Sequence, residues 1–274
     1  MGIKIVANLR GHCIVAWLML SCSVHAQDVA TELNQIYGDV PAETRADRPS
    51  AWHGLLGVAA VATEQSLGDN RGFLAPLVAV TYSDTFYWQI ARGGMWLFKS
   101  KDHSTRAGLV VKPRRGFKPD DYAGLAGMEE RDTSVEIGVN GVWVTRPVIT
   151  SAAYYTDVSN KSEGDSANLG LSHPIRVNHQ WRITQSLGAE WLSANVVDFY
   201  YGIRPSEVTA MRPIHAGKGS VNLRVGVTVH YGLTHEWSLF GGVSHTQLGS
   251  GITASPIVIH DRVTALHLGG GWIF

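Results

Sequence analysis

Histidine is the residue type whose spacing most invites a chemical reading of this sequence. His173 and His179, and His230 and His235, are the closest pairs. Metal ligands on one face of a strand sit at even offsets. The second pair has an odd offset, and Pro174 interrupts the strand between the first two. All four are therefore read as turn or interior side chains, and no metal or other cofactor is expected. Hydrolytic chemistry would need a Ser-His or Asp-His set. Ser244 and His245 are adjacent, so on a strand they point to opposite faces. His260-Asp261 falls in a loop. No catalytic residues are assigned and an enzyme is not expected.

Two other groups could act without a reaction. Glu136, Arg182, Glu190 and Arg224 lie in alternating segments, on the polar face of each. Enclosed together they would need partners or water. Mutual pairing that plugs an interior is the favoured outcome, and a selective pore is the alternative. The loop from Asn195 to Gly219 carries Tyr200, Tyr201, Arg204, Arg212 and His215. Tyr and Arg suit a binding surface, and they serve equally well as an interfacial girdle.

The elements that must position these residues are strands. From Ser220 to Tyr231, the residues Val221, Leu223, Val225, Val227, Val229 and Tyr231 fall on one face, and Asn222, Arg224, Gly226, Thr228 and His230 on the other. A strand turns successive side chains to opposite faces. Gln180 to Trp191 and Ser134 to Val144 repeat the pattern, and helical periodicity is absent. A soluble sandwich hides the apolar face; a membrane barrel shows it to lipid around a polar lumen. Strands of about ten residues suit a tilted transmembrane strand. Trp52, Trp88, Trp143, Trp191, Trp237 and Trp272 suit the membrane boundaries.

The connections favour the barrel. Short turns are expected at Ser83-Asp84, Lys101 to Ser104, Arg146-Pro147, Pro174 to His179 and Gly232 to His235. Long ones are expected at Glu64 to Arg71, Pro113 to Asp132, Ser159 to Asp165, Asn195 to Gly219 and Gly249 to Asp261. Such alternation separates periplasmic turns from external loops. Direct counting gives eleven strands. Splitting the long stretch Thr85 to Phe98 at Gly93-Gly94 gives twelve, an even number, with ten as the second choice. The fold class is thus all-β, a single closed antiparallel up-and-down transmembrane barrel over residues 51–274.

The beginning of the chain reads as an export signal. Lys4 and Arg10 precede the uncharged run Cys13 to Val24, and Val24-His25-Ala26 offers a cleavage site between Ala26 and Gln27. The run is too short to span a bilayer. Residues 27–50 would then be a periplasmic lead. Both cysteines, Cys13 and Cys22, lie in the signal, so disulfides are not expected to stabilise the exported protein. Removing Lys4 and Arg10 leaves 21 basic against 23 acidic residues, with no basic stripe for nucleic acid. No later segment approaches 18 uninterrupted apolar residues, so no membrane helix is expected.

The sequence ends His267-Leu268-Gly269-Gly270-Gly271-Trp272-Ile273-Phe274. This is similar to the C-terminal signal read by the barrel assembly machinery, with His267, Gly269, Trp272 and Phe274 as the marked positions. A free strand edge offers backbone groups for strand addition. Tyr201-Gly202-Ile203-Arg204-Pro205, Trp237-Ser238-Leu239-Phe240 and Ser255-Pro256-Ile257-Val258 follow in an order that resembles the MltA-interacting protein (MipA/OmpV) family. The resemblance is good from about Leu187 to Phe274 and looser over Ala51 to Tyr155. Where members often carry Tyr-x-Gly-Ser after the first strand, this chain has Glu64-Gln65-Ser66-Leu67-Gly68. The resemblance implies a barrel embedded in outer-membrane lipid. It also implies a scaffold linking a lytic transglycosylase to a murein synthase, or an adhesin in other members, and it supplies no catalytic residues.

Overall fold

A computed structural model of the chain describes residues 51–274. The proposed signal, its cleavage site and the periplasmic lead lie outside the described residues.

Twelve antiparallel strands close into one barrel, each paired with its sequence neighbours and the first with the last. They are β1 Trp52–Gln65, β2 Gly68–Tyr82, β3 Phe86–Gln89, β4 Arg92–Lys99, β5 Thr105–Arg114 and β6 Ser134–Thr145. The rest are β7 Val148–Asp157, β8 Asp165–Arg176, β9 Trp181–Leu192, β10 Ser220–Gly232, β11 Trp237–Gln247 and β12 Arg262–Ile273. Two short helices, α1 Ala194–Tyr201 and α2 Ser250–Thr253, sit in the outer loops. The seam runs from Leu55↔Ile273 to Thr63↔Ala265. Phe274 extends it by exchanging backbone hydrogen bonds with Gly54 at 3.0 and 3.1 Å. Closure leaves no full-length edge to solvent or lipid.

The period-two pattern fixes which side is which. Val135, Ile137, Val139, Leu187, Val221, Leu223, Val225 and Val227 are exposed on the outer wall, whereas Ser134, Glu136, Asn140, Asn222, Thr228 and Ser244 are buried inside. A soluble sandwich would reverse this burial, so the apolar band faces lipid. All six tryptophans singled out above are exposed. Trp52 with Tyr82, Trp181 with Tyr231 and Trp272 with Phe274 form aromatic pairs, with centroids 4.6 to 5.0 Å apart, at the end that carries both strand termini.

Three expectations are corrected. The split in the long stretch falls at Ile90-Ala91, not Gly93-Gly94. The expected long loop from Glu64 to Arg71 is a two-residue turn, because β1 and β2 stay paired to Gln65↔Gly68. Pro174 lies within β8, paired with Thr184, and the turn follows at residues 177–180. The lumen is also less uniformly polar than the alternation implied. Leu55, Ala59, Val61, Leu77, Ile90 and Phe240 form a buried apolar cluster on one side of it.

Candidate functional site: paired lumen charges under a loop cap

The interior charges come from strands placed side by side by the ladder. Glu136 on β6 stands opposite Lys112 on β5, and Glu190 on β9 opposite Asn222 on β10. Arg114 at the end of β5 reaches across the lumen. Its Nε donates to Glu136 Oε1 at 2.5 Å and its Nη atoms to Glu190 Oε1 at 3.4 Å. Lys112 Nζ lies 3.2 Å from Glu136 Oε2 and 4.1 Å from the Tyr155 ring centroid. Asn222 donates to the other Glu190 oxygen at 3.2 Å, and Arg224 donates to Thr246 Oγ1 at 3.2 Å. Two carboxylates and two cations thus satisfy one another, which is what charges withdrawn from water require.

Of the four charges singled out in the sequence, Glu136 and Glu190 share this network and Arg224 stands beside it. Arg182 lies eight residues further down β9, opposite His230, and takes no part. Lys112 and Arg114 were missed. Both follow the inward period of β5, but Pro113 between them reads as a loop start.

The outer loops fold over and into this mouth. Ser193 caps α1 by accepting from Val196 N at 3.5 Å. That turns Val196, Val197 and Tyr200 inward against Leu192 and Ile252. The Tyr200 hydroxyl donates to Arg114 O at 3.0 Å and lies 3.1 Å from Ser134 Oγ. Tyr200 is therefore a stopper in the lumen and not the surface contact its position suggested. Tyr201 is half-buried, and its carbonyl accepts from Ser255 Oγ at 2.5 Å. Arg204 is exposed and pairs with Glu129.

A second layer joins residues 115–133 to residues 193–219. Arg131 and Glu207 form a bidentate pair at 2.7 and 2.8 Å, each 1% exposed. Glu207 also accepts from the backbone N–H of Glu129 and Arg204 at 2.9 and 2.8 Å. Burial works to raise this carboxyl, but the Arg131 guanidinium and those N–H groups outweigh it and hold it at about 2. Arg212 donates to the carbonyls of Glu207, Gly124 and Ala126. Phe117, Leu125, Met128, Ile203 and Ile257 pack beneath as a small core. Nothing in the sequence marks Arg131 and Glu207, which lie 76 residues apart in irregular segments.

The remaining candidates disperse. Ser244 is buried in the lumen, whereas His245 is half-exposed on the other face and meets Thr264 Oγ1 at 3.1 Å. Among the described residues no three or more His, Cys, Asp or Glu side chains come together in a way that could hold a metal ion. In β12, His267 points inward, Gly269 makes room for the Phe240 ring, and Trp272 faces out beside Trp237.

A family profile described as MltA-interacting protein MipA matches residues 56–274. The chain belongs to this family. The outer membrane protein OmpV of Vibrio cholerae is 24% identical over 52% of this chain and 55% of its own length. The chain thus spans about half the length of that relative. The MltA-interacting protein of Escherichia coli K12 is 21% identical over 74% of this chain and 83% of its own length. Among solved structures, the in-vitro folded outer membrane protein OmpT of Vibrio cholerae superposes over 81% of this chain and 96% of its own, with 10% identity and a TM-score of 0.41. That score adds nothing to the twelve strands seen directly. With relatives named as outer membrane proteins and an apolar outer wall, this MipA family member is an outer-membrane β-barrel.

Proposed function

We propose that this barrel is a scaffold that docks murein-processing enzymes, a lytic transglycosylase and a murein synthase, at its periplasmic end. One observation carries the reading: paired charges cross the lumen and Tyr200 is hydrogen-bonded onto them from the loop cap, which favours the rims as the working surfaces. The name of the Escherichia coli relative, MltA-interacting protein, supports the transglycosylase as a partner; the synthase rests on the family resemblance. The proposed docking surface is the set of short turns at residues 83–85, 100–104, 146–147, 177–180 and 233–236. Affinity capture from crosslinked cells, with the full-length chain as bait, tests this. A transglycosylase or synthase is expected in the eluate, and its loss when the turns 100–104 and 177–180 are replaced by Gly-Ser. Recovery of no murein enzyme sinks the reading. A small pore or an adhesin built on the outer loops would then be the better account.

A further inference from the structure

Beneath the loop cap, beside the charge network, lies a chamber of about 100 Å³. Gln65, the last residue of β1, lines it. Its side chain is 1% exposed, and neither its amide oxygen nor its amide nitrogen has a hydrogen-bond partner. Other polar side chains around it are engaged. Arg114 meets Glu190, and Asn222 donates to Glu190 and accepts from Gly249 N. Thr246 accepts from Arg224, and the Tyr200 hydroxyl donates to Arg114 O. Buried polar groups are nearly always paired, with protein or with a bound molecule, so an amide bare at both atoms calls for an occupant.

The walls argue against water alone. Phe117, Leu192, Val196, Leu248 and Val263 border the same space, and water gains by leaving apolar walls. By the measure in which one water needs about 10–15 Å³, the chamber holds about seven to ten. That is the size of a small ring with one polar substituent.

The chamber is sealed at one end and reaches the outer surface at the other. Gln65, Leu192 and Val196 are at most 2% exposed. Leu67 in the β1–β2 turn, and Arg115 and Tyr122 in the segment after β5, border the same chamber and are only half-buried. The way in from the outer loops therefore lies between that turn and that segment. Arg71 holds the segment in place by donating to Asp121 O at 2.6 Å. Gly68 leaves room for the Tyr122 ring, which a Cβ there would meet at 2.5 Å.

We propose that this chamber binds a small neutral molecule that carries a primary amide or a lactam on an apolar ring. Such a group presents an N–H and a C=O side by side, the complement of both bare atoms of Gln65. A trans secondary amide directs the two to opposite sides and meets one of them at most. A carboxylate lacks the donor and would face Glu190; an ammonium group lacks the acceptor and would face Arg114 and Arg224. The ring lies on the apolar wall. The site is at the outer end of the barrel and does not depend on the scaffold reading.

Benzamide is the probe, and acetophenone, which keeps the shape but lacks the N–H, is its control. Equilibrium dialysis uses the full-length chain in lipid nanodiscs, with empty nanodiscs as the blank. Benzamide should bind the parent at least about tenfold more tightly than acetophenone, the difference expected when a buried acceptor is left unpaired. Gln65→Met should abolish that preference without lowering the urea midpoint, because an apolar side chain of similar shape removes the unpaired amide. Leu248→Trp, which fills the chamber, should abolish benzamide binding. Gln65→Leu replaces the methionine variant if that one fails to fold, with heat-modifiable gel mobility reporting folding. Equal binding of the two probes to the parent overturns the amide, and no saturable binding means that the chamber holds water only; either ends the proposal. A preference that survives in folded Gln65→Met also ends it, since the amide group would then sit elsewhere.

Discussion

At the residue scale, Arg131 and Glu207 set the strength of the loop cap. Removing one partner of a buried ion pair leaves the other charge stranded, at a cost of about 3–5 kcal/mol, whereas replacing both with apolar residues costs far less. Glu207→Leu should therefore loosen residues 115–133 and 193–219, and Arg131→Met with Glu207→Leu should restore much of the loss. Limited proteolysis of folded protein, scored by nicking in those segments, measures both. Equal nicking in the single and double variants would count against the pairing. The same carboxyl makes the cap sensitive to acid. Its value in the folded protein, about 2, lies below the ordinary Glu value of about 4.3. The stabilisation is thus fully present above about pH 4.3 and drains away as pH falls toward 2. Nicking should rise through that window in the parent and stay flat in Glu207→Gln. None of this was legible in the sequence, because a pair between two irregular segments leaves no periodic trace. Tyr200 was visible only as a tyrosine in a loop; the α1 cap at Ser193 decides that it faces in.

At the element scale, the sequence spoke most clearly where alternation is long and least where a strand is short. β6, β9 and β10 were readable to within a residue, because 11 or more positions repeat the same choice of face. The β3–β4 hairpin was detected by parity but cut three residues late. Glycines at 93 and 94 suggested a turn, yet they serve side-chain packing. A Cβ at Gly94 would come within 2.4 Å of both Leu109 O and the Tyr87 hydroxyl, and one at Gly93 within 2.7 Å of the Trp88 ring. Tyr87 in turn accepts from Asn140 at 2.8 Å. Gly94→Ala should therefore destabilise the barrel by about 1–3 kcal/mol, the range for overpacking a filled site. Gly188→Ala, whose added carbon would come no nearer than 3.7 Å to its neighbours, should be close to neutral. Urea unfolding in micelles, followed by tryptophan emission, separates the two; equal midpoints would refute this account of the hairpin.

At the scale of the whole molecule, the question is whether the side chains inside a twelve-strand barrel suffice to block it. A closed sheet of this size is wider than wall side chains alone readily fill. The wall contributes Lys112, Arg114, Glu136 and Glu190, all on inward positions of their strands. The stopper comes from α1, which adds Val196, Val197 and Tyr200 to the outer end. The two layers meet at Arg114, whose side chain holds both carboxylates and whose carbonyl receives the Tyr200 hydroxyl. They should therefore fail in order. The parent should be silent in planar bilayers. Replacing residues 194–218 with a short Gly-Ser connection should admit small, brief openings, because the charge network still crosses the lumen. Adding Glu136→Gln should make the openings long, because Lys112 and Arg114 then compete for Glu190 alone and one of them must turn toward water. A parent that conducts steadily would make the barrel a pore and displace the scaffold reading. A doubly altered barrel that is folded by circular dichroism yet silent would mean that the closure lies lower, at Phe240 and the apolar cluster beside it.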